Sequence, residues 1–221
     1  MSPETPGRLV AFEGGEGAGK STQLALLDGW LRAAGRRTRL TREPGATAAG
    51  TRIRAIVLDP GSSLIPRAEA LLYAADRAQH VDTVLRPALA AGEIVLTDRY
   101  VDSTLAYQGA GRDLAGAEVA ALNDWATGGL RPDLTVLLDL DPEVGLARAT
   151  GRRSLDRIEQ ESLAFHRRVR AEFGRLAGLD PARYLVLDAT GEPRQLAAEV
   201  RTRLAAILPA GPQPAAVAKT P

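Results

Sequence analysis

The sequence predicts an α/β fold, built as a five-stranded parallel sheet with helices on both faces. Two observations predict this class. Short apolar runs rich in Val, Leu and Ile recur along the chain, as expected of strands buried inside a parallel sheet. Longer segments with apolar residues at helical spacing follow these runs. With 221 residues and no internal repeat or linker, the chain is expected to form one domain over residues 1–208.

The predicted elements alternate along the chain. The strands are RLVAFE (8–13), RTRLT (37–41), EIVLTD (93–98), LTVLLDL (134–140) and YLVLDA (184–189). The helices are expected at residues 21–34, 47–58, 66–91, 114–126, 142–150, 159–177 and 193–208. The last segment, PAGPQPAAVAKTP (209–221), combines prolines with small residues and is expected to be a disordered tail.

The composition excludes several classes of function. A net charge of +1 gives no general attraction to nucleic acid or membranes. The absence of cysteine rules out disulfides, thiolate catalysis and cysteine–zinc sites, and only two histidines are present. The N-terminus lacks an apolar signal core and no stretch approaches the ~20 apolar residues of a membrane span, so a cytoplasmic protein is expected.

The segment FEGGEGAGKSTQ (12–23) places glycines between a predicted strand and a predicted helix. This is the setting in which GxxxxGK[ST] indicates a phosphate loop, because glycine lets backbone N–H groups approach a phosphate closely. Lys20 is expected to reach the β and γ phosphates of ATP, Ser21 to bind Mg²⁺, and Thr22 to lie beside the α phosphate. The predicted ATP-binding residues of the loop are Gly14, Gly15, Glu16, Gly17, Ala18, Gly19, Lys20, Ser21 and Thr22. The fold is therefore predicted to be that of the P-loop NTPases.

A magnesium-organising aspartate should close an apolar strand, and two positions compete for this role. One is Asp98 in EIVLTDRY; the other is Asp139 or Asp141 in TVLLDLD. We favour Asp98, because Arg99 would present a cation beside the same phosphates. A guanine-specific switch is not indicated, since the only asparagine, Asn123, is not in an NKxD segment.

Two further clusters are basic: TREPG (41–45) and ATGRRSLDRIEQES (149–162). The second carries arginines without an apolar face, which predicts a cationic lid at about residues 149–158. Arginines that close over a moving phosphoryl group stabilise its charge. The alternative for this segment is a solvated helix start.

With these motifs in this order, the chain resembles the thymidylate kinases, which transfer the γ-phosphoryl group of ATP to dTMP to give dTDP. The resemblance covers nearly the whole length, from FEGGEGAGKSTQ through TREPG, LLYAADRAQH, TDRYVDSTLAYQG and DLTVLLDLDPEVGLAR to RSLDRIEQES. It implies Mg²⁺ with ATP as co-substrate and a homodimer. Ala46 and Thr51 depart from the family pattern, where glycine and an acidic residue are common.

The resemblance also implies roles for individual residues. Gly17 stands where one branch of the family has an arginine, so the catalytic cation is expected from the lid, as in the bacterial branch. Arg148 is expected against the adenine, and Asp98 is expected to hold Mg²⁺. The implied catalytic residues are Lys20, Arg99, Arg152, Arg153 and Arg157.

The implied acceptor site gathers aromatic, polar and basic side chains. Tyr73 would stack on thymine, Arg77 would bond its carbonyl, and Thr104 would face the ring N3–H. Tyr107 would pack against the sugar, and Arg99 would grip the phosphate of dTMP. The full set is Glu16, toward the 3′-hydroxyl, with Arg42, Arg54, Tyr73, Arg77, Arg99, Ser103, Thr104, Tyr107 and Gln108.

Three alternatives remain open on the sequence alone. The first is a kinase for another nucleoside monophosphate or a deoxynucleoside. The second is a P-loop regulatory module that binds a nucleotide and a protein partner. The third, a former kinase that acts only as a scaffold, is disfavoured because Lys20, Ser21, Asp98 and Arg99 are all present.

Overall fold

The structure is a computed structural model that describes residues 7–150 and 155–208. Five strands form its single sheet. They are β1 (Arg8–Glu13), β2 (Thr38–Arg42), β3 (Ile94–Asp98), β4 (Leu134–Asp139) and β5 (Tyr184–Asp188). Each predicted strand is present, with its ends displaced by no more than one residue.

All neighbouring strands of the sheet are parallel, in the order β2-β3-β1-β4-β5. β1 lies at the centre, with Val10 opposite Leu96 of β3 on one side and Leu134 of β4 on the other. The chain therefore leaves β1 toward one edge of the sheet and later returns to fill the other edge. In such sheets a ligand cleft opens at the carboxyl ends of the strands, where the order reverses. The predicted α/β class is confirmed.

Helices cover both faces of the sheet in the described part of the chain. They are α1 (Lys20–Ala33), α2 (Ala48–Leu58), α3 (Pro66–His80), α4 (Arg86–Ala90), α5 (Val101–Thr104), α6 (Gly116–Thr127), α7 (Pro142–Thr150), α8 (Leu163–Leu179) and α9 (Pro193–Ala205). Two π-helical segments join them, Val81–Leu85 and Leu105–Gly111.

The core has two sides because side chains alternate along each buried strand. On β1, Val10 and Phe12 pack into one apolar cluster with residues of α1 and α9. Leu9 and Ala11 point the other way and pack with the π-helical segment Val81–Leu85. Both faces of the central strand are thus buried, which explains its continuous apolar sequence.

Local sequence fixes several helix starts. The Thr47 hydroxyl accepts a hydrogen bond from Gly50 N at 2.9 Å at the start of α2, and Ser162 does the same for Phe165 N at 3.2 Å at the start of α8. Pro66 opens α3, where its missing N–H removes no helical bond.

Two helix predictions were wrong in detail, and one helical segment was not predicted. The predicted helix 66–91 is divided into α3, a π-helical segment and α4, because Pro87 has no N–H to continue the α-helical ladder. The predicted helix 159–177 begins only at Leu163, since Ser162 caps it. The helical residues 101–111 were not predicted, because the glycines of VDSTLAYQGAG disfavour a helix locally. Burial of Ala106 and Tyr107 stabilises the helix in the folded chain.

Within residues 7–150 and 155–208, no helix is both long and apolar enough to cross a bilayer. The predicted disordered tail, 209–221, lies outside the described residues, and so does much of the predicted lid, at residues 151–154.

Candidate active site

A cleft of about 370 Å³ opens at the carboxyl ends of β1 and β3. Its floor is the turn between β1 and α1, and its walls come from the end of β2, from α3 and from residues 103–108. The lining is mainly polar and charged, and the cleft lies near the switch point of the sheet. A cleft of this composition is suited to an anionic ligand.

The glycine turn on the floor requires residues without side chains at two positions. Gly14 has φ of +131°, and a Cβ there would lie 2.4 Å from Leu138 O. Gly17 has φ of +65°, and a Cβ there would lie 2.2 Å from Gly145 O on α7. Both positions combine a left-handed backbone with a close approach of neighbouring backbone. A side chain at Gly17 would collide with the backbone of Gly145, which disfavours an arginine at this position.

Lys20 is the first residue of α1 and lies folded back over the turn. Its Nζ donates to Gly14 O at 3.0 Å and to Gly15 O at 2.8 Å. Burial lowers the pKa of the ammonium, and the neighbouring Arg99 lowers it further. The turn therefore holds a desolvated cation at the N-terminal, positive end of a helix.

Arg99 follows β3 with φ of +69° and joins three parts of the site. Its Nη1 donates to Gly14 O and to Ser103 Oγ, both at 3.1 Å, and its Nη2 pairs with Glu16 Oε1 at 2.5 Å. The guanidinium also lies over the ring of Tyr107, 4.9 Å from its centroid. Arg99 is thus fixed between the phosphate loop and the segment that follows β3.

Asp98, the last residue of β3, is placed to meet a cation. Its Oδ1 is buried and has no hydrogen-bond partner among the described residues. A buried carboxylate oxygen without a partner fits a metal or a metal-bound water. The described residues contain no group of three or more acidic or histidine side chains that could hold a metal alone. Any Mg²⁺ here would take its remaining ligands from phosphates and water.

Glu16 lies within the turn and faces the cleft. Its carboxylate accepts from Arg99 and, at 2.9 Å, from the Tyr107 hydroxyl. Burial alone would raise its pKa, but Arg99 and then Lys20 outweigh burial and lower it to about 2. The carboxylate is therefore ionised across the physiological range and is available as an acceptor.

α3 places Tyr73 and Arg77 one turn apart on the wall of the cleft. Arg77 is almost fully buried and donates to Glu43 Oε2 at 2.7 Å, to Thr104 Oγ1 at 2.8 Å and to Tyr100 O at 3.0 Å. It also bonds the side chain of Asn123 on α6. These contacts hold the guanidinium in one orientation, with one further N–H on Nη2.

Glu43 and His80 form a buried support behind Arg77. His80 Nδ1 lies 2.8 Å from Glu43 Oε1, and its Nε2 lies 2.7 Å from Thr41 Oγ1. Glu43 thus joins the end of β2 to α3. Sequence reasoning missed this support, although TREPG contains Glu43 and LLYAADRAQH contains His80. Only the fold brings the two motifs together.

Most of the predicted site residues meet in this one cleft. Those that line it are Glu16, Gly17, Ala18, Gly19, Lys20, Ser21, Thr22, Arg42, Arg54, Tyr73, Arg77, Asp98, Arg99, Ser103, Thr104, Tyr107 and Gln108. Gly14 and Gly15 take part through their carbonyl groups, which accept from Lys20.

Of the other predicted residues, two that the structure describes, Arg148 and Arg157, do not line the cleft. Arg148 is exposed and donates to Ala189 O at 3.3 Å, near the end of β5. Arg157 pairs with Glu69 at 2.7 Å. Arg152 and Arg153 lie outside the described residues. The residues that line the cleft but were not predicted as site residues are Glu43, Pro44, Leu58, Ala149, Asp156, Ile158 and Glu159.

The fold and the site together define a class of protein. A glycine turn between a central strand and a helix holds a desolvated lysine, and the neighbouring strand presents an aspartate and an arginine to the same cleft. This is a P-loop nucleotide-binding protein with a second pocket beside the phosphate loop, the arrangement that phosphoryl transfer requires.

Comparison with known proteins specifies the family. The family model described as thymidylate kinase matches residues 12–200. The thymidylate kinase of Clavibacter michiganensis subsp. michiganensis is 53% identical over 206 residues, covering 93% of this chain and 98% of that protein. The thymidylate kinase of Deinococcus radiodurans is 57% identical over 194 residues, covering 88% and 94%. The chain belongs to the thymidylate kinase family, and the prediction of a kinase is confirmed.

Proposed function

We propose that the chain transfers the γ-phosphoryl group of ATP to dTMP, giving ADP and dTDP for the synthesis of dTTP. One observation carries the proposal: a single cleft joins the phosphate loop to a pocket that offers an aromatic ring, a fixed arginine and an ionised carboxylate. Family membership supports the same reaction.

The phosphate loop is proposed to hold ATP. Backbone N–H groups of the turn and the N-terminus of α1 would surround the β and γ phosphates, with Lys20 neutralising them. Ser21 and Thr22 are exposed at the start of α1, on the side of the cleft. Arg148, near the end of β5, is proposed to lie against the adenine.

Asp98 and Ser21 are proposed to hold Mg²⁺, Asp98 directly or through water. When bound, the ion would neutralise the charge that develops on the phosphate oxygens. The partnerless Oδ1 of Asp98 supports this assignment. The aspartates considered as alternatives, Asp139 and Asp141, are paired with Arg170 of α8.

The acceptor pocket is proposed to bind dTMP through complementary surfaces. The ring of Tyr73 would stack on the base, while Arg77 and Thr104 would face its polar edge. Tyr107 would pack against the sugar and disfavour a 2′-hydroxyl, and Glu16 would accept from the 3′-hydroxyl. Ser103 and Gln108 border the same pocket.

The phosphate of dTMP is proposed to meet Arg99, with Arg42 and Arg54 nearby on the cleft wall. One of its oxygens attacks the γ-phosphorus directly, and no covalent enzyme intermediate is needed. Arg152 and Arg153 are proposed as the lid cations that stabilise the transferred group. Arg157 would have to leave its pair with Glu69 to act in the same way.

We further propose that two copies of the chain associate as a homodimer. α3 packs against both α2 and α6. These three helices carry the exposed apolar side chains Ile56, Leu71 and Trp125. Apolar side chains on neighbouring helices are typical of an interface.

A cytoplasmic location and the absence of nucleic-acid or membrane partners stay predictions.

The test is ADP release from Mg²⁺–ATP by purified protein, with dTMP, dUMP, UMP, CMP, AMP, GMP and thymidine as separate acceptors. We expect strong release with dTMP, weaker release with dUMP and negligible release with the others. A preference for another acceptor would replace the proposed substrate but keep a kinase. Slow release that no acceptor changes would instead favour a P-loop regulatory module.

A further inference from the structure

Glu69, on the first turns of α3, is fully buried and gathers four polar contacts. Its Oε1 accepts from Gln108 Nε2 at 2.7 Å and from Arg112 Nε at 3.2 Å. Its Oε2 pairs with Arg112 Nη2 at 3.1 Å and with Arg157 Nη2 at 2.7 Å. We refer to Glu69, Gln108, Arg112 and Arg157 as the Glu69 cluster. The site assignments of the previous subsections do not use this carboxylate.

Two members of the cluster belong to different walls of the active-site cleft. Gln108 lines the acceptor pocket directly. Arg157 lies in the segment 155–161, which contributes Asp156, Ile158 and Glu159 to the lining. One carboxylate therefore holds both a pocket side chain and a wall segment.

Arg157 also connects the segment 155–161 to the end of α2 through two hydrogen bonds. Its Nε donates to Val57 O at 2.9 Å, and its backbone N donates to Leu58 O at 3.1 Å. The turn that follows is closed by Asp156, whose Oδ1 accepts from Ile158 N and Glu159 N, each at 3.0 Å. The position of this wall thus depends on where the Arg157 side chain is held.

Charge balance makes Glu69 decisive for the cluster. Arg112 has a second acidic partner in Glu161, whereas the carboxylate nearest to Arg157 is Glu69. Both guanidinium groups are largely buried. Removing the Glu69 carboxylate would leave Arg112 with Glu161 and would leave the largely buried Arg157 without this counter-charge, so the Arg157 side chain would move toward water or toward another anion.

We propose that Glu69 is a positioning residue for phosphoryl transfer, which sets Gln108 on the acceptor wall and, through Arg157, the segment 155–161. In this state Arg157 acts on the wall and not on the transferred group. The inference rests on the proposed function, because only the proposed binding of dTMP makes the side of the cleft that carries Gln108 the acceptor site. An ion cluster that only stabilises the fold would make the same contacts, so the test must separate the two roles.

The test is a double-mutant cycle with Glu69→Gln, Arg157→Ala and the double variant, assayed with dTMP and ATP varied separately. We expect each single change to lower kcat/KM for dTMP about tenfold, mainly through KM. For the double variant, kcat/KM for dTMP should be no more than about threefold below that of either single variant. Both changes remove the same contact, the one that holds the segment 155–161. Arg157→Lys, which keeps the charge, should recover part of the loss. The matched control is Glu172→Gln with Arg175→Ala, an exposed pair on α8 at 2.7 Å, which should leave all constants unchanged.

Two results would overturn the proposal. One is a loss of kcat at saturating substrates in Arg157→Ala that multiplies with the loss in Glu69→Gln, as expected if Arg157 touches the moving group. The other is unchanged kinetics for dTMP in a Glu69→Gln protein that is merely less stable to heat, as expected of a purely structural cluster. If Glu69→Gln does not fold, Glu69→Asp replaces it with the same expectation.

A second readout needs no turnover. Hydrogen–deuterium exchange of the amides in residues 156–161 should be faster in Glu69→Gln than in the wild type, while exchange in α9 stays the same. Equal exchange in 156–161 would contradict the proposal. A failure of the proposed function is visible separately, as absence of dTMP-dependent ADP release by the wild-type protein.

Discussion

At the scale of single residues, the site depends on charges held out of water. Lys20, Glu16 and Arg99 lie within one connected set of contacts, and the attraction of the two cations to the Glu16 carboxylate opposes the cost of burial. The direction in which the pKa shifts differs from one buried carboxylate to another. The pKa of Glu16 falls to about 2, whereas Glu13, one strand position before the glycine turn, has a pKa raised to about 7.

Glu13 predicts a pH dependence of stability. It is fully buried and accepts from Tyr100 N at 2.8 Å, and burial, followed by Asp102, raises its pKa from 4.5 to about 7. A raised pKa means that the folded protein binds the proton more tightly than the unfolded chain. The resulting stabilisation is fully present below about pH 4.5 and is lost as the pH rises through about 7.

Glu13→Gln removes this titration while keeping a hydrogen-bond acceptor. Between pH 5 and pH 8 the wild type should therefore lose roughly 1 to 3 kcal/mol of unfolding free energy relative to the variant. Urea unfolding of both proteins at the two pH values measures the difference. A difference that is the same at both values would show that Glu13 does not titrate in this range.

At the scale of elements, the site is made by the approach of backbone segments. The glycine turn lies against α7, where Gly17 and Gly145 face each other without side chains. α3 carries Glu69, Tyr73, Arg77 and His80, so that one helix supplies both the pocket wall and the groups that hold it. The spacing of three or four residues puts them on the same face of α3.

Gly17→Ala is expected to lower the unfolding free energy by about 1–3 kcal/mol, because the backbone is left-handed and the new Cβ would meet Gly145 O at 2.2 Å. The matched control for stability is Gly15→Ala in the same turn, where a Cβ meets no atom within 4 Å. Thermal melting of the two variants compares them. Equal melting temperatures would mean that α7 moves away from the new Cβ without a loss of stability.

At the scale of the whole molecule, the sheet order brings the phosphate loop and the acceptor wall into one cleft. β1 and β3 are neighbours, as the pairing of Phe12 with Asp98 shows. Yet 80 residues lie between the last residue of β1, Glu13, and the first residue of β3, Ile94. α2, α3 and α6 leave apolar side chains at the surface, and the proposed homodimer would cover them.

Trp125, 83% exposed on α6, tests the proposed dimer. Trp125→Lys should shift the protein from a dimer of 23.4 kDa chains toward the monomer, because a buried charge without a partner disfavours the interface. Sedimentation equilibrium measures the change. Leu179→Lys is the control, since Leu179 is also exposed and apolar but lies at the end of α8. A monomeric wild type, or equal behaviour of both variants, would contradict this interface.

The sequence by itself determined the parallel sheet, the phosphate loop and most of the cleft lining. These features depend on local order: apolar runs form buried strands, and the glycines before the lysine and the hydroxyl allow the left-handed backbone that the phosphate loop requires. Only the tertiary structure decided which groups support them. Glu43 with His80, and Glu69 with Arg157, are distant in sequence, and their pairing follows from how β2, α3 and the segment after α7 pack. Burial makes these pairs strong, and burial is a property of the packed molecule that no local pattern contains.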